Sequence, residues 1–79
     1  MKTFKNKFGN IPSGTKVTFE MENADVWGGD RAGTLVYKNG KWVIETENSG
    51  TIKINEWLGA YSGTIEPIME DKYKEMMVR

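Results

Sequence analysis

From Thr34 the chain runs through the apolar stretch Leu35-Val36-Tyr37, meets polar residues at Lys38-Asn39-Gly40-Lys41, and turns apolar again through Trp42-Val43-Ile44 before Glu45. Asn and Gly both tolerate positive φ, and this dipeptide between two β-rich runs is the mark of a two-residue type I′ hairpin. Such a turn sets the register: Lys38 faces Lys41, Tyr37 faces Trp42, Val36 faces Val43 and Leu35 faces Ile44. Alternation then places Leu35, Tyr37, Trp42 and Ile44 on one face, which must be a core face. Val36 and Val43 share the other. A hairpin that is apolar on one face and partly apolar on the second suits a bent or barrel-like sheet.

The same period of two recurs on both sides of this hairpin. Lys16 to Glu22 sets Val17, Phe19 and Met21 against Thr18, Glu20 and Glu22, a half-buried strand with an acidic outer face. Gly50 to Asn55 turns Ile52 and Ile54 inward after an Asn48-Ser49-Gly50 turn. Thr3 to Phe8 reads as a first strand, with Phe4 and Phe8 on one side and Lys5 and Lys7 on the other. Ile11-Pro12-Ser13-Gly14 reads as a turn, and Ser62 to Glu66 as a last short strand. Asn55 and Gly59 bracket one helical turn that lays Trp57 and Leu58 over the sheet. Beyond Pro67 the period changes: Met69, Tyr73, Met76 and Met77 recur at helical spacing. Pro67 suits a first helical position, Glu70 and Asp71 the first turn, and Arg79 the last. The predicted elements are strands at about 3–8, 15–22, 33–38, 41–47, 50–55 and 62–66 and a helix at about 67–78, within one small domain. The fold class is mainly β: a small, strongly bent antiparallel sheet or SH3-like barrel of about five strands with a short C-terminal helix, with an OB-like barrel as the second choice.

Length sharpens this picture. A chain of 79 residues buries only roughly 60% of its unfolded surface, so its stability margin is thin. No cysteine is present to add a disulfide or a thiolate metal site. The core must come from apolar residues, aromatic rings above all, and thin stability leaves a homo-oligomer open. The lysine-bearing start has no continuous apolar run, so no secretory signal is expected there. No stretch approaches the roughly 20 apolar residues of a membrane span. A soluble, cytoplasmic protein is the expectation.

Eleven basic and eleven acidic residues cancel, but they are segregated. Lys2, Lys5, Lys7 and Lys16 precede the acids Glu20, Glu22, Asp25 and Asp30, and Arg31, Lys38 and Lys41 follow. Such blocks pair neighbouring strands across a sheet or polarise a surface toward a charged partner.

Candidate chemistry is narrow. Without histidine or cysteine the commonest general base, metal ligand and strong nucleophile are all missing. Asp25 and Asp30 are the nearest carboxylate pair, but a chain this small builds no deep cleft to shift their pKa values. They also lack the regular spacing of a calcium loop. No catalytic residue, metal ligand or cofactor is assigned, and the protein is read as a non-enzyme.

One connection departs from what a minimal hairpin needs: Asp25-Val-Trp-Gly-Gly-Asp-Arg-Ala-Gly33. Trp27 either folds back to plug an open end of the sheet or stands exposed as an anchor beside Arg31, both residue types being common in interface hot spots. The leading functional expectation is a binding module that occupies a protein partner, in the style of a small phage-type or bacterial regulator or inhibitor. Its surface would combine Trp27, Asp25, Asp30 and Arg31 with the strand face of Glu20 and Glu22. The methionine-rich tail would either join that surface or cover the sheet. The alternatives are a single-stranded nucleic-acid binder using Lys5, Lys7, Lys38 and Lys41 beside Phe4 and Phe8, and capture of a small anionic ligand at Gly28-Gly29.

Overall fold

The computed structural model describes residues 2–23, 25 and 28–77, with the backbone alone at Met77. Trp27, Arg79 and the side chain of Met77 lie outside the described residues. In chain order the elements are β1 (Thr3–Asn6), β2 (Gly9–Pro12), β3 (Thr15–Thr18), β4 (Ala32–Lys38), β5 (Lys41–Glu45), β6 (Thr51–Lys53), a 3₁₀ turn (Ser62–Thr64), β7 (Glu66–Pro67) and α1 (Glu70–Met77). The fold is mainly β. One antiparallel sheet has the order β6-β5-β4-β3-β7, and β1 and β2 form a second, two-stranded sheet. The bent sheet of five strands is realised; a closed barrel is not. β6 and β7 are its edges, and single-residue bridges from Ala60 to Ile54, just after β6, and to Met21, beyond β3, link the chain past these strands.

The Asn39-Gly40 hairpin forms in the register that its alternation requires, with Leu35 opposite Ile44 and Tyr37 opposite Trp42. Both turn residues have positive φ, 53° and 80°, as a type I′ turn demands. Leu35 and Ile44 are fully buried in one cluster with Ile11, Val17, Phe19, Met21, Ile52, Ala60 and Ile65. The β1–β2 hairpin lies over this cluster and contributes Ile11. Phe4 packs on the cluster's margin, edge-on to Trp42 at 5.7 Å between ring centroids. Asn6 fastens that hairpin down, its side-chain amide donating to the carbonyls of Ser62 and Ile65, each at 2.8 Å.

The second face of the sheet is covered by α1, which lies against β3 and β4. Among its described residues Tyr73 is the buried one. The Lys16 ammonium sits 4.5 Å from the centre of the Tyr73 ring and donates to Thr34 Oγ1 at 2.7 Å. Burial, reinforced by the nearby carboxylates of Glu47 and Asp30, raises the Tyr73 phenol above its usual pKa of 10.0.

Several sequence expectations need correction. The first strand ends at Asn6 because Asn6-Lys7-Phe8-Gly9 is itself a turn. Asn6 Oδ1 accepts the Phe8 N–H at 2.9 Å, and Gly9, paired with Asn6, takes φ 107°, which favours glycine. Phe8 is therefore at a turn and 41% exposed rather than beside Phe4. Ile11 and Pro12 belong to β2, and only Ser13-Gly14 turns. β3 stops at Thr18, although Phe19 and Met21 stay buried. Beyond Thr18 the backbone bonds the 61–64 segment instead, the Glu20 carbonyl accepting from Tyr61 N–H at 3.0 Å and the Glu20 N–H donating to Thr64 Oγ1 at 3.0 Å. Ser62–Thr64 is 3₁₀ rather than strand. Pro67 ends β7, an edge position where a missing N–H is tolerated. Helix α1 starts only at Glu70, which leaves Met69 exposed and not on the packed face.

Candidate partner-binding site

Between Ile54 and Ser62 the chain forms a braced knob. Asn55 takes φ 58°, a conformation that Asn tolerates. Its side chain clamps the far end of the loop, Oδ1 accepting from Ser62 N–H and Nδ2 donating to Ser62 Oγ, both at 3.1 Å. Inside the clamp, Gly59 N–H donates to the Glu56 carbonyl at 2.7 Å and closes a tight turn over Trp57 and Leu58. A Cβ on Gly59 would lie 2.6 Å from the Lys53 carbonyl oxygen, so only glycine fits there. Leu58 is held at φ 60°, which costs a non-glycine residue about 1–2 kcal/mol.

Glu22 supplies the bracing that sustains this strain. Its carboxylate accepts the Leu58 N–H at 3.2 Å, and its own N–H donates to the Gly59 carbonyl at 3.1 Å. Ala60 N–H and carbonyl bond Lys53 and Asn55, each at 2.8 Å. The knob is thus tied at both ends and in the middle, yet its large side chains point outward. Trp57 is 75% exposed, Leu58 52% and Tyr61 46%. This overturns the expectation that Trp57 and Leu58 lie over the sheet. The Asn55…Gly59 bracket marks the turn, but both ends serve to project the turn's side chains rather than to cap a helix.

Trp57 stands as a ridge between two open grooves. One, of about 290 Å³, runs past Glu22, Glu56, Ala60 and Tyr61. The other, of about 260 Å³, runs past Ser49, Thr51, Ile52, Lys53 and Leu58 along the edge strand β6.

The structure separates the residues singled out from sequence. Glu22 is at the knob. Glu20 and Arg31 line a different groove of about 630 Å³, between the end of β3, β7 and α1, together with Lys72 and Met76. Asp25 is exposed in a turn. Asp30, expected on the partner-facing surface, is 1% exposed. Its carboxylate accepts from the backbone N–H of Asn48 at 2.9 Å and from Asn48 Nδ2 at 3.3 Å, and its N–H donates to Ser49 Oγ at 2.9 Å. Asp30 therefore locks the 28–30 segment to the β5–β6 turn. The nearby recess along Gly28, Gly29, Asn48 and Ser49 has this carboxylate in its wall, which disfavours an anion there.

The lysines of the nucleic-acid alternative are also divided. Lys5 and Lys7 belong to the β1–β2 hairpin, where Lys7 lies over the Phe8 ring at 5.3 Å. Lys38 and Lys41 flank the β4–β5 turn, and Lys38 is engaged by Glu45. Among the described residues no group of three acidic side chains is arranged to hold a metal ion, and no helix is long and apolar enough to cross a membrane. Compared with protein-family models, curated proteins and solved structures, the chain has no significant match.

Proposed function

We propose that this protein is a non-enzymatic binding module that acts by occupying a protein partner, in the manner of a small regulator or inhibitor, and that Trp57 is its anchor. One observation carries the reading: a tryptophan three-quarters exposed on a turn held rigid by hydrogen bonds and by a strained leucine. The core uses Ala60 of this loop but not the Trp57 side chain, and strain of this kind gathers at ligand clamps and binding surfaces. Rigid aromatic anchors surrounded by polar groups are the residues that dominate interface energetics. The turn is already in place before binding, so little ordering entropy is lost on association.

The experiment is affinity capture from cell lysate with and without nuclease, followed by the same capture with Trp57→Ala. The expected result is a nuclease-resistant protein partner that the variant no longer retains, while its melting temperature stays close to that of the parent. Retention of the same partner by Trp57→Ala refutes the assignment.

A further inference from the structure

We propose that the groove between Trp57 and Tyr61 receives a cationic side chain of the partner, arginine in preference to lysine. The proposal rests on the reading of Trp57 as the binding anchor and names what the partner must bring to it.

The groove has two aromatic walls and two carboxylates. Trp57 and Tyr61 line it together with Glu22 and Glu56, over a floor formed by Gly59 and Ala60. Aromatic faces attract cations through the ring quadrupole, tryptophan most strongly. A planar guanidinium can stack on such a ring while its N–H fork meets a carboxylate, which an ammonium does less well.

Both carboxylates have capacity to spare. Glu22 uses one oxygen to accept the Leu58 N–H, and an ionised carboxylate offers about four lone-pair sites. Glu56 has a loose partner in Lys53, at 3.8 Å with both side chains about half exposed. An incoming guanidinium can displace such a pair readily. Lys53 itself lines the groove on the opposite side of Trp57.

The same geometry says what is rejected. An acidic side chain or a phosphate would meet two carboxylates at close range. A neutral apolar side chain would gain contact with the rings but leave both carboxylates without a charged partner. Selectivity therefore comes from charge sign as much as from attraction.

The test uses isotopically labelled protein titrated with blocked tripeptides Ac-Gly-Xaa-Gly-NH2, where Xaa is arginine, lysine, citrulline or glutamate, followed by NMR. Citrulline keeps the shape of arginine without its charge. The expected result is saturable shifts confined to Glu22 and residues 55–61, with arginine tighter than lysine and with citrulline and glutamate near the detection floor. Trp57→Ala should weaken arginine binding by about three- to fivefold, the size of an exposed cation–π contact. Glu56→Gln should weaken it further while leaving the amide spectrum intact. Equal binding of citrulline and arginine, or arginine binding unchanged in both variants, overturns the proposal. If the arginine peptide fails but Trp57→Ala still loses the captured partner, only the cation site falls. If the variant keeps the partner, the anchor reading falls as well.

Discussion

Gly33 leaves no room for a side chain on β4, and Gly33→Ala measures how tight that site is. A Cβ built on Gly33 would lie 2.7 Å from the carbonyl oxygen of Glu45, 2.8 Å from Ile44 Cγ2 and 3.1 Å from Thr46 Cγ2. The first of these atoms is backbone, next to the Thr34–Glu45 pair of the ladder, and cannot rotate away. Forcing a methyl group into such a site costs about 1–3 kcal/mol. The backbone contact puts the cost in the upper part of that range, roughly 2–3 kcal/mol, and replacing a strand glycine returns roughly 0.5–1 kcal/mol of conformational entropy, so the net loss is about 1–2.5 kcal/mol. For 79 residues the unfolding entropy is about 0.17 kcal/mol/K, and the melting temperature should fall by roughly 6–15 °C. Gly63→Ala is the matched control. A Cβ on Gly63 would meet nothing within 4 Å, and the residue has no positive φ, so alanine there should stabilise by about 0.4–1 kcal/mol. Differential scanning calorimetry of the two variants reads both values. If Gly33→Ala melts at or above the parent temperature, β4 and β5 do not cross as closely as described, and the placement of the 28–30 segment against the β5–β6 turn loses its support.

Other outcomes follow from the same geometry. Asp30→Ala should cost about 1–3 kcal/mol in urea titration, because it removes the charged acceptor of both Asn48 hydrogen bonds; a change near zero would mean that the lock is not formed. Tyr73→Phe should alter the pH dependence of stability: the folded phenol has a pKa raised above 10.0, so its contribution is complete below that value and is lost as pH rises through the folded pKa. The urea midpoint of the parent should therefore fall above about pH 10 more steeply than that of the variant, and parallel curves would remove Tyr73 as the cause. Gly40→Ala places a Cβ at φ 80° and should destabilise the hairpin by about 1 kcal/mol, visible as a lower thermal midpoint with the Tyr37–Trp42 cross-strand NMR contact retained. Single-stranded oligonucleotides should show no measurable binding even at low salt, because basic and acidic residues cancel along the chain and Lys38 is engaged by Glu45; steeply salt-dependent binding would reopen that alternative.

Elements whose cause is local were legible in the chain. Asn39-Gly40 encodes its own turn, and a two-residue turn leaves one register, so the pairing of Leu35 with Ile44 follows from sequence spacing alone. The mainly β character and the inward-facing set Val17, Phe19, Met21, Ile52 and Ile54 follow from alternation, because a period of two has one consistent inside face. Turns that compete with a strand pattern were not legible in that way. Thr3 to Phe8 alternates well enough to read as one strand, and the signal against it is a single Asn6 side chain bonding the Phe8 backbone with Gly9 behind it. The candidate site was hidden for a more general reason. Trp27 and Trp57 look alike in sequence, each a large ring near glycine, and a large apolar ring is by default assigned to the core. Exposure of Trp57 depends on Glu22, 36 positions before Leu58, holding that leucine at positive φ, and on a close approach to Lys53 that only Gly59 permits. Burial of Asp30 likewise depends on Asn48 and Ser49 arriving from the next turn. Long-range closure, not local propensity, determines which side of the surface such a residue occupies.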